Sequence, residues 1–374
     1  MPKHGACNLC SINLSEYVLN PYTINASIDY DSLTKDIWII VEEMDKVLEE
    51  NLERHALPEQ RAMAKNYRNI GIGIMGLADL FVKLGIKYGS RESVDVASNI
   101  MLTIFRESVF ASAEYGGNLG NFPRYDPKIW DSSIIKNAFT PAEIADFKKI
   151  DCLRNCSLLS IAPAGSIGTM LNVGTGCEPF FALSFNRRTE TMSEETYKVE
   201  IKAVKEYREV TGNQGELPDY FVTAQDIPWK ERINIQAALQ EFCDTGISST
   251  VNLPKETTVE DVKELYKYAW KKGCKGITIY KEGSRDPILS VDKKEDDLKI
   301  SDYVLSNTEN AKLQLEAVHS ELKRGEIIKT GDHWLGLKRT LNTGCGTLHC
   351  EAFFDPQTGE LREGYLSKGS TGGW

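Results

Sequence analysis

The sequence lacks the features that would place the protein in a membrane or on nucleic acid. No apolar run approaches the roughly 18 residues of a membrane-spanning helix, and residues 1–20 lack the charged-then-apolar pattern of a secretory signal. The 44 Lys and Arg residues are outnumbered by 54 Asp and Glu, so the net charge is −10. A net negative charge of this size does not indicate the positively charged surface that nucleic-acid binding requires. We therefore expect neither a membrane nor a nucleic-acid partner.

Histidine is also scarce, which limits the metal sites that the cysteines could build. The chain has nine cysteines and five histidines. Cys7 and Cys10 form a single Cys-x-x-Cys with only His4 nearby, which is weak evidence for zinc. A fortuitous extra thiol at Cys10, or a Cys7–Cys10 disulfide formed in a side reaction, are the alternatives. Nine cysteines without a secretory signal indicate the reducing cytoplasm, and we expect no bound metal.

Segments of helical length alternate with short apolar ones along most of the chain. Apolar residues recur with a helical period at 36–53, 95–115, 194–210 and 259–272. Short strand-like runs lie between them, at 157–162, 249–253 and 276–280. This alternation predicts an α/β barrel or a layered sheet. With 374 residues, 41% of them apolar, the chain can hold one large unit and a small one.

One predicted strand leads directly into a candidate anion-binding turn. An apolar run at 158–162 is interrupted by residues that can turn the chain and open a helix: Pro163, Ala164, Gly165, Ser166 and Ile167. Backbone N–H groups at a helix start attract phosphate, and a glycine lets an oxygen approach closely. An ordinary strand-to-helix turn of an α/β protein has the same pattern. We refer to these five residues as the 163–167 turn.

Four segments, taken in order, resemble the large chain of ribonucleotide reductases, specifically the adenosylcobalamin-dependent class. They are ACNLCSINL at 6–14, RNIGIGIMGLADL at 68–80, PAGSI at 163–167 with GCEPFFA at 176–182, and GISSTVNLP at 246–254 followed by GCKGITIYKEGSR at 273–285. The tail carries TGCGT at 343–347 and KGSTGG at 368–373, and resembles a small accessory domain found at the end of this class.

The resemblance implies a fold and a domain organisation. Residues 1–290 would form the second half of a ten-stranded α/β barrel, residues 291–328 a charged linker with a surface helix, and residues 329–374 a small, β-rich, truncated accessory domain. In that last domain Cys345 and Cys350 are either thiols facing a small core or metal ligands together with His333 or His349.

The resemblance also implies a chemistry. In this family a thiyl radical abstracts hydrogen from the ribose, and two other cysteines supply reducing equivalents as they form a disulfide. Cys7 matches the downstream cysteine of that pair. Its partner and the Asn-x-Cys-x-Glu motif of the radical cysteine would lie before residue 1, so we expect the isolated chain to be inactive.

The implied protein is part of a ribonucleoside-diphosphate reductase. Its implied partners are a ribonucleotide substrate, adenosylcobalamin, an external dithiol reductant, and a complementary chain that carries the N-terminal half. Two alternatives are a non-catalytic half-barrel that binds nucleotides or partners, and a fragment of the radical-importing class. That class places two adjacent tyrosines where this chain has Tyr280-Lys281, which disfavours it.

Within the resemblance, the 163–167 turn would hold the substrate phosphates. Ala164 stands where the family usually carries threonine, and Gly168 where serine is common, so two hydroxyl donors would be lost. Each lost hydrogen bond to phosphate would weaken the free energy of substrate binding by on the order of 1–3 kcal/mol. Glu178 and Pro179 are interpreted as structural residues.

Overall fold

The protein is described by a computed structural model, which covers residues 3–188 and 196–282 and the strands at 335–343, 346–354 and 361–369. The chain divides into two compact units, Met1–Val291 and Asp292–Trp374. Within the part of the chain so covered, no helix has the length and apolar character needed to cross a membrane.

The first unit alternates strands with helices. Its strands are β1 (Asn8–Asn13), β2 (Val18–Leu19), β3 (Ser27–Ile28), β4 (Ile70–Met75), β5 (Ser184–Arg188), β6 (Thr196–Glu200), β7 (Thr250–Leu253) and β8 (Thr278–Lys281). Its helices are α1 (Tyr30–Asn51), α2 (Pro58–Tyr67), α3 (Leu77–Lys83), α4 (Arg91–Leu119), α5 (Ser133–Ala138), α6 (Pro141–Ile150), α7 (Gly165–Leu171), α8 (Lys202–Thr211), α9 (Trp229–Glu241) and α10 (Val259–Lys271).

Five chain segments of the described first unit run parallel and side by side. β1 pairs with β4 from Asn8↔Ile70 to Asn13↔Met75. β4 lies beside the 157–161 segment through the bridge Ile72↔Leu159, and that segment lies beside residues 245–248 through Ile161↔Ile247. The chain continues from there into β7, which pairs with β8 in the same direction. Parallel neighbours need crossover connections, and here helices supply them.

The helices cover one face of these strands. Ile70, Ile72 and Ile74 of β4 are fully buried in the same apolar cluster as Leu33 and Ile37 of α1. α1 packs against α4, α4 against α9, and α9 against α10. Side chains alternate between the two faces of a strand, so the residues between the three isoleucines point to the other face. The buried face and the helix layer together form an α/β layer pair.

The structure confirms three of the four helices that periodicity predicts. The predicted segments at 36–53, 95–115 and 259–272 correspond to α1, α4 and α10. α1 begins earlier than predicted, because the Asp29 carboxylate accepts a hydrogen bond from the Ser32 amide and caps the helix there.

The fourth predicted helix, at 194–210, is wrong in its first part. Residues 196–200 form β6, which pairs antiparallel with β5, and the helix α8 begins only at Lys202. Thr196, Tyr197 and Val199 are β-branched or aromatic, and such residues favour an extended chain.

A buried carboxylate holds the two segments that lead into β4 and into the 157–161 segment. Asp45 of α1 is 5% exposed and accepts from Arg68 Nε, Arg154 Nε and Asn155 Nδ2, each at 3.0 Å. Asn155 Nδ2 also donates to the Arg68 carbonyl at 3.1 Å. Each of these segments carries an Arg-Asn pair just before its strand, so a single carboxylate aligns the amino ends of two neighbouring strands.

The second unit contributes an antiparallel sheet. β9 (Leu335–Thr343) and β11 (Leu361–Gly369) flank β10 (Gly346–Phe354), with pairs such as Leu348↔Leu341 and Cys350↔Leu366. Cys345, His333 and the linker at 291–328 lie outside the described residues.

Removing the carboxylate of Asp45 tests its structural role. We expect Asp45→Ala to lower the free energy of unfolding by about 3 kcal/mol, because Arg154 would lose its buried partner and the buried Arg68 would keep only the largely exposed Glu49. Urea unfolding measures the change. The control is Glu50→Ala on the same helix, which removes the exposed pair with Arg54 and should have a much smaller effect. Equal effects of the two substitutions would contradict the assignment.

Candidate functional site

The candidate site is the face of the described parallel strands opposite to α1 and α4. The Asn8 side chain reaches the carbonyl of Met44 on the helix side, so its neighbours Cys7 and Leu9 point the other way. A Cβ built on Gly71 would lie 2.7 Å from Leu9 Cδ2 and 3.0 Å from both Cys7 Sγ and Ser160 Cβ. These four residues from three neighbouring segments define what we call the open face. Leu9 is 55% exposed there.

The thiol of Cys7 is half buried on the open face. Burial raises its pKa to about 11, and the nearby carboxylate of Asp244 adds to the shift. At neutral pH the group is therefore a protonated thiol and not a thiolate. Such a thiol is a weak nucleophile, but it still carries the hydrogen and the electron that a reductant must deliver.

Cys10 lies on the opposite face of the same strand, where it packs against the apolar core. Residues three apart in an extended chain project to opposite sides, so β1 itself separates the two sulfur atoms. A disulfide requires two Cβ atoms that approach each other, and a zinc site requires converging ligands. The Cys7-x-x-Cys10 pattern is therefore neither a dithiol nor half of a zinc site. Throughout the described ranges, no group of three or more His, Cys, Asp or Glu side chains is placed to hold a metal ion.

The 163–167 turn lies at the carboxyl end of the 157–161 segment. Pro163, Ser166 and Ile167 are exposed, and α7 begins at Gly165, as the sequence predicts. The first amides of a helix have no carbonyl acceptor within the helix. Beyond α7 the chain is fixed to the end of β4, because Gly76 N donates to Gly174 O and Gly174 N donates to Asp79 Oδ2, both at 2.7 Å.

Two residues that depart from the family pattern are buried and do not present a side chain to the surface of the turn. Ala164 is 4% exposed. A Cβ on the buried Gly168 would lie 2.8 Å from Thr175 Cγ2 and 3.1 Å from the Val173 carbonyl oxygen. The hydroxyl groups absent at these positions would thus point into the protein here, and a serine at 168 would need the following loop to move.

Glu178 ties separate segments together, which agrees with its interpretation as a structural residue. One of its carboxylate oxygens pairs with Arg232 Nη2 at 2.7 Å, and the other accepts from the Thr250 amide at 2.8 Å. Arg232 comes from α9, is 4% exposed, and also donates to Tyr88 Oη and Ser249 Oγ. This buried group ties the loop after α7 to the start of β7. No motif in the sequence marks Arg232.

Asp244 is a second residue that sequence reasoning missed. Its carboxylate accepts from the amides of Leu158 and Leu159 at 2.7 and 2.9 Å, and burial raises its pKa to about 6. It thereby holds the 157–161 segment against residues 245–248. A single aspartate before a predicted strand does not indicate this role in the sequence, because only the fold brings Asp244 close to the amides of Leu158 and Leu159.

The family model described as "Ribonucleotide reductase, barrel domain" matches residues 2–280. The chain belongs to this family. The parallel strands with helices on one face are thus an α/β barrel fragment, and the resemblance in the four sequence segments is confirmed.

Two relatives of the chain are named vitamin B12-dependent ribonucleoside-diphosphate reductase. The protein from Thermoplasma acidophilum is 29% identical over 366 residues, covering 93% of this chain and 42% of its own length. The protein from Mycobacterium tuberculosis (strain CDC 1551 / Oshkosh) is 31% identical over 301 residues, covering 76% of this chain and 40% of its own length. The chain therefore spans about two fifths of the length of these curated relatives.

A solved structure shares the fold. It is the Actinobacillus ureae class Id ribonucleotide reductase alpha subunit, which superposes with a TM-score of 0.55 at 19% identity. The match covers 74% of this chain and 50% of that chain. At this identity the likeness establishes the fold alone.

The protonation state of Cys7 has a measurable consequence. Because its pKa is raised to about 11, the rate of its alkylation by iodoacetamide should still be rising at pH 10, whereas a free cysteine levels off above its pKa of about 8.5. Peptide mass spectrometry measures the labelling of Cys7 alone, with a short cysteine peptide as the reference. A plateau below pH 9 in the folded protein would contradict the assignment.

Proposed function

We propose that this chain supplies one reductant thiol and the phosphate-binding turn of an adenosylcobalamin-dependent ribonucleoside-diphosphate reductase. One observation carries the proposal. Ser160 borders the Cys7 thiol across Gly71, and Pro163 follows Ser160 by three residues on the same chain segment. Three residues span at most about 10 Å, and here a hydrogen bond from the Ala162 amide to the Ser160 carbonyl shortens the path. The thiol and the turn are thus spaced so that one nucleotide could reach both, with its ribose at Cys7 and its phosphates at the 163–167 turn.

Each residue then has a defined role. The first-turn amides of α7 bind the phosphate oxygens, and Gly165 allows their close approach. Cys7 and a thiol of the complementary chain each give up a hydrogen and join in a disulfide. The ribonucleotide takes up both hydrogens, loses its 2′-hydroxyl as water and becomes a deoxyribonucleotide. An external dithiol then reduces the disulfide, which restores both thiols.

The family resemblance and the names of the relatives support adenosylcobalamin as the cofactor. When bound, it supplies the radical that starts the reaction. None of the described residues is assigned a contact with it, and no step above depends on one. Tyr280 lies half buried in β8, and Lys281 Nζ donates to the Thr257 carbonyl at 2.8 Å, so the position after Tyr280 holds an amine and not a second phenol.

A complementary chain that carries the rest of the barrel is part of the proposal. Each of the outer strands β1 and β8 pairs on one side only within the part of the chain the structure covers. Large apolar side chains are exposed as well: Leu9 at 55%, Met170 at 75% and Phe181 at 44%. Open edges and exposed apolar groups favour association. With the second unit, the proposed organisation is a barrel part at 1–290, a linker at 291–328 and an accessory domain at 329–374, in a cytoplasmic enzyme.

The 163–167 turn can be tested through Gly165. In the assembled enzyme we expect Gly165→Val to raise the KM for ribonucleotide at least tenfold, because a branched side chain would fill the space of a phosphate oxygen. Steady-state kinetics or calorimetry measures the change. The control is Gly117→Val, at a position on α4 where an added Cβ meets no atom within 4 Å. An unchanged KM in Gly165→Val would mean that the phosphates bind elsewhere.

The choice between the two thiols can be tested in the same assembly. We expect Cys7→Ser to abolish multiple-turnover reduction supported by dithiothreitol, because serine cannot form the disulfide. Cys10→Ser should retain most of the activity, since Cys10 lies on the helix side of β1. Loss of turnover through Cys10 and not through Cys7 would reject the assignment. No turnover in any variant, with nucleotide still bound, would favour the non-catalytic binding module.

A further inference from the structure

We propose that Gly71 is the positioning residue of the Cys7 thiol. Because Gly71 has no side chain, it leaves a slot on the open face of β4 in which Cys7 Sγ lies beside Ser160. This role rests on the proposed function of Cys7, but the slot itself is a feature of the geometry.

The space above Gly71 is filled from both neighbouring segments. The position that a Cβ would take is 3.0 Å from Cys7 Sγ on one side and 3.0 Å from Ser160 Cβ on the other. Leu9 Cδ2 lies closer still, at 2.7 Å, but it is the end of a flexible and largely exposed side chain. Leu9 can rotate away at little cost. Cys7 has one side-chain torsion, so rotation about that bond is the simplest way for its sulfur to give way to a Cβ at position 71.

The backbone conformation does not explain a glycine at this position. Gly71 lies within the regular strand β4 and is not among the residues with positive φ. Any amino acid can adopt this backbone, so only the close approach of Cys7 and Ser160 requires the absence of a side chain. Gly73, two residues further along β4, is required for a different reason, because backbone and not side-chain atoms approach it. Its Cβ would lie 2.6 Å from the backbone carbonyl oxygen of Ser160, so that glycine serves the spacing of the strands.

An alanine at position 71 should therefore displace the sulfur and leave the strand pairing in place. The displaced thiol would turn away from β4 and become more exposed. In the assembled enzyme the sulfur would be out of place for the reaction, although the 163–167 turn would be unchanged. The expected signature is a lower kcat with an unchanged KM.

The first test measures the thiol directly in the chain as it stands. Iodoacetamide labelling of Cys7 at pH 8, read by peptide mass spectrometry, should be at least threefold faster in Gly71→Ala than in the parent. Ser160→Ala retains its Cβ and should leave the rate unchanged, as should Gly117→Ala in open space. An unchanged or slower rate in a folded Gly71→Ala variant would overturn the proposal.

The second test remains decisive if Gly71→Ala is too unstable to label. Thermal unfolding is compared for the parent, Gly71→Ala, Cys7→Ala and the double variant. If the sulfur occupies the slot, Gly71→Ala should lower the melting temperature less in the Cys7→Ala background than in the parent background. Equal losses in both backgrounds would overturn the proposal.

Failure of the proposed function would look different. An assembled enzyme that turns over normally with Cys7→Ser would remove the reductant role of Cys7. The labelling rates and the melting temperatures would still decide whether Gly71 holds the thiol in place.

Discussion

The carboxylate of Asp45 is the constraint on which the alignment of the open face depends. It is buried between Arg68 and Arg154, the residues that lead into β4 and into the 157–161 segment. A buried carboxylate with two guanidinium partners cannot lose either of them without a large penalty. The two amino ends are therefore held side by side. This alignment brings Gly71 close to Ser160. It also sets where the 163–167 turn lies, beyond the end of the 157–161 segment.

A second constraint is the close approach of neighbouring strands at Gly71 and Gly73. On the helix side of β4, three isoleucines fill the space between sheet and helices. On the open face of the same strand, Gly71 and Gly73 leave space that atoms of the two neighbouring segments fill. Cys7 occupies this space from the position just before β1, and Ser160 from the 157–161 segment. An alternating Ile-Gly pattern thus produces a strand that packs tightly on one side and accommodates a thiol on the other.

Much of this could be predicted from the sequence, and the reasons for success and failure are physical. α1 and α10 bury an apolar stripe with a helical period, although Ile39 and Trp270 are exposed, so periodicity finds them. α9 is buried around most of its surface, including Arg232, Gln236 and Gln240, so it shows no one-sided pattern and is missed. The 163–167 turn is local, and its strand–turn–helix order is visible in the residues themselves. Asp45, Asp244 and Arg232 act on segments far away in the chain, and nothing in their local sequence indicates their partners.

The Cys-x-x-Cys pattern shows how local spacing can mislead. Two cysteines three residues apart can converge in a turn or a helix, but in a strand they lie on opposite faces. The parallel pairing of β1 with β4 settles which case applies, and it places Cys10 on the helix side, away from Cys7. Under the proposed function, the thiol that pairs with Cys7 belongs to the complementary chain.

The most direct measurement is a single turnover in the assembled enzyme without external reductant, followed by mapping of the disulfides by mass spectrometry. We expect Cys7 to be recovered in a disulfide with a cysteine of the complementary chain, in an amount matching the deoxyribonucleotide formed, while Cys10 remains a free thiol. Deoxyribonucleotide formed with Cys7 still reduced, or with Cys7 joined to Cys10, would contradict this expectation.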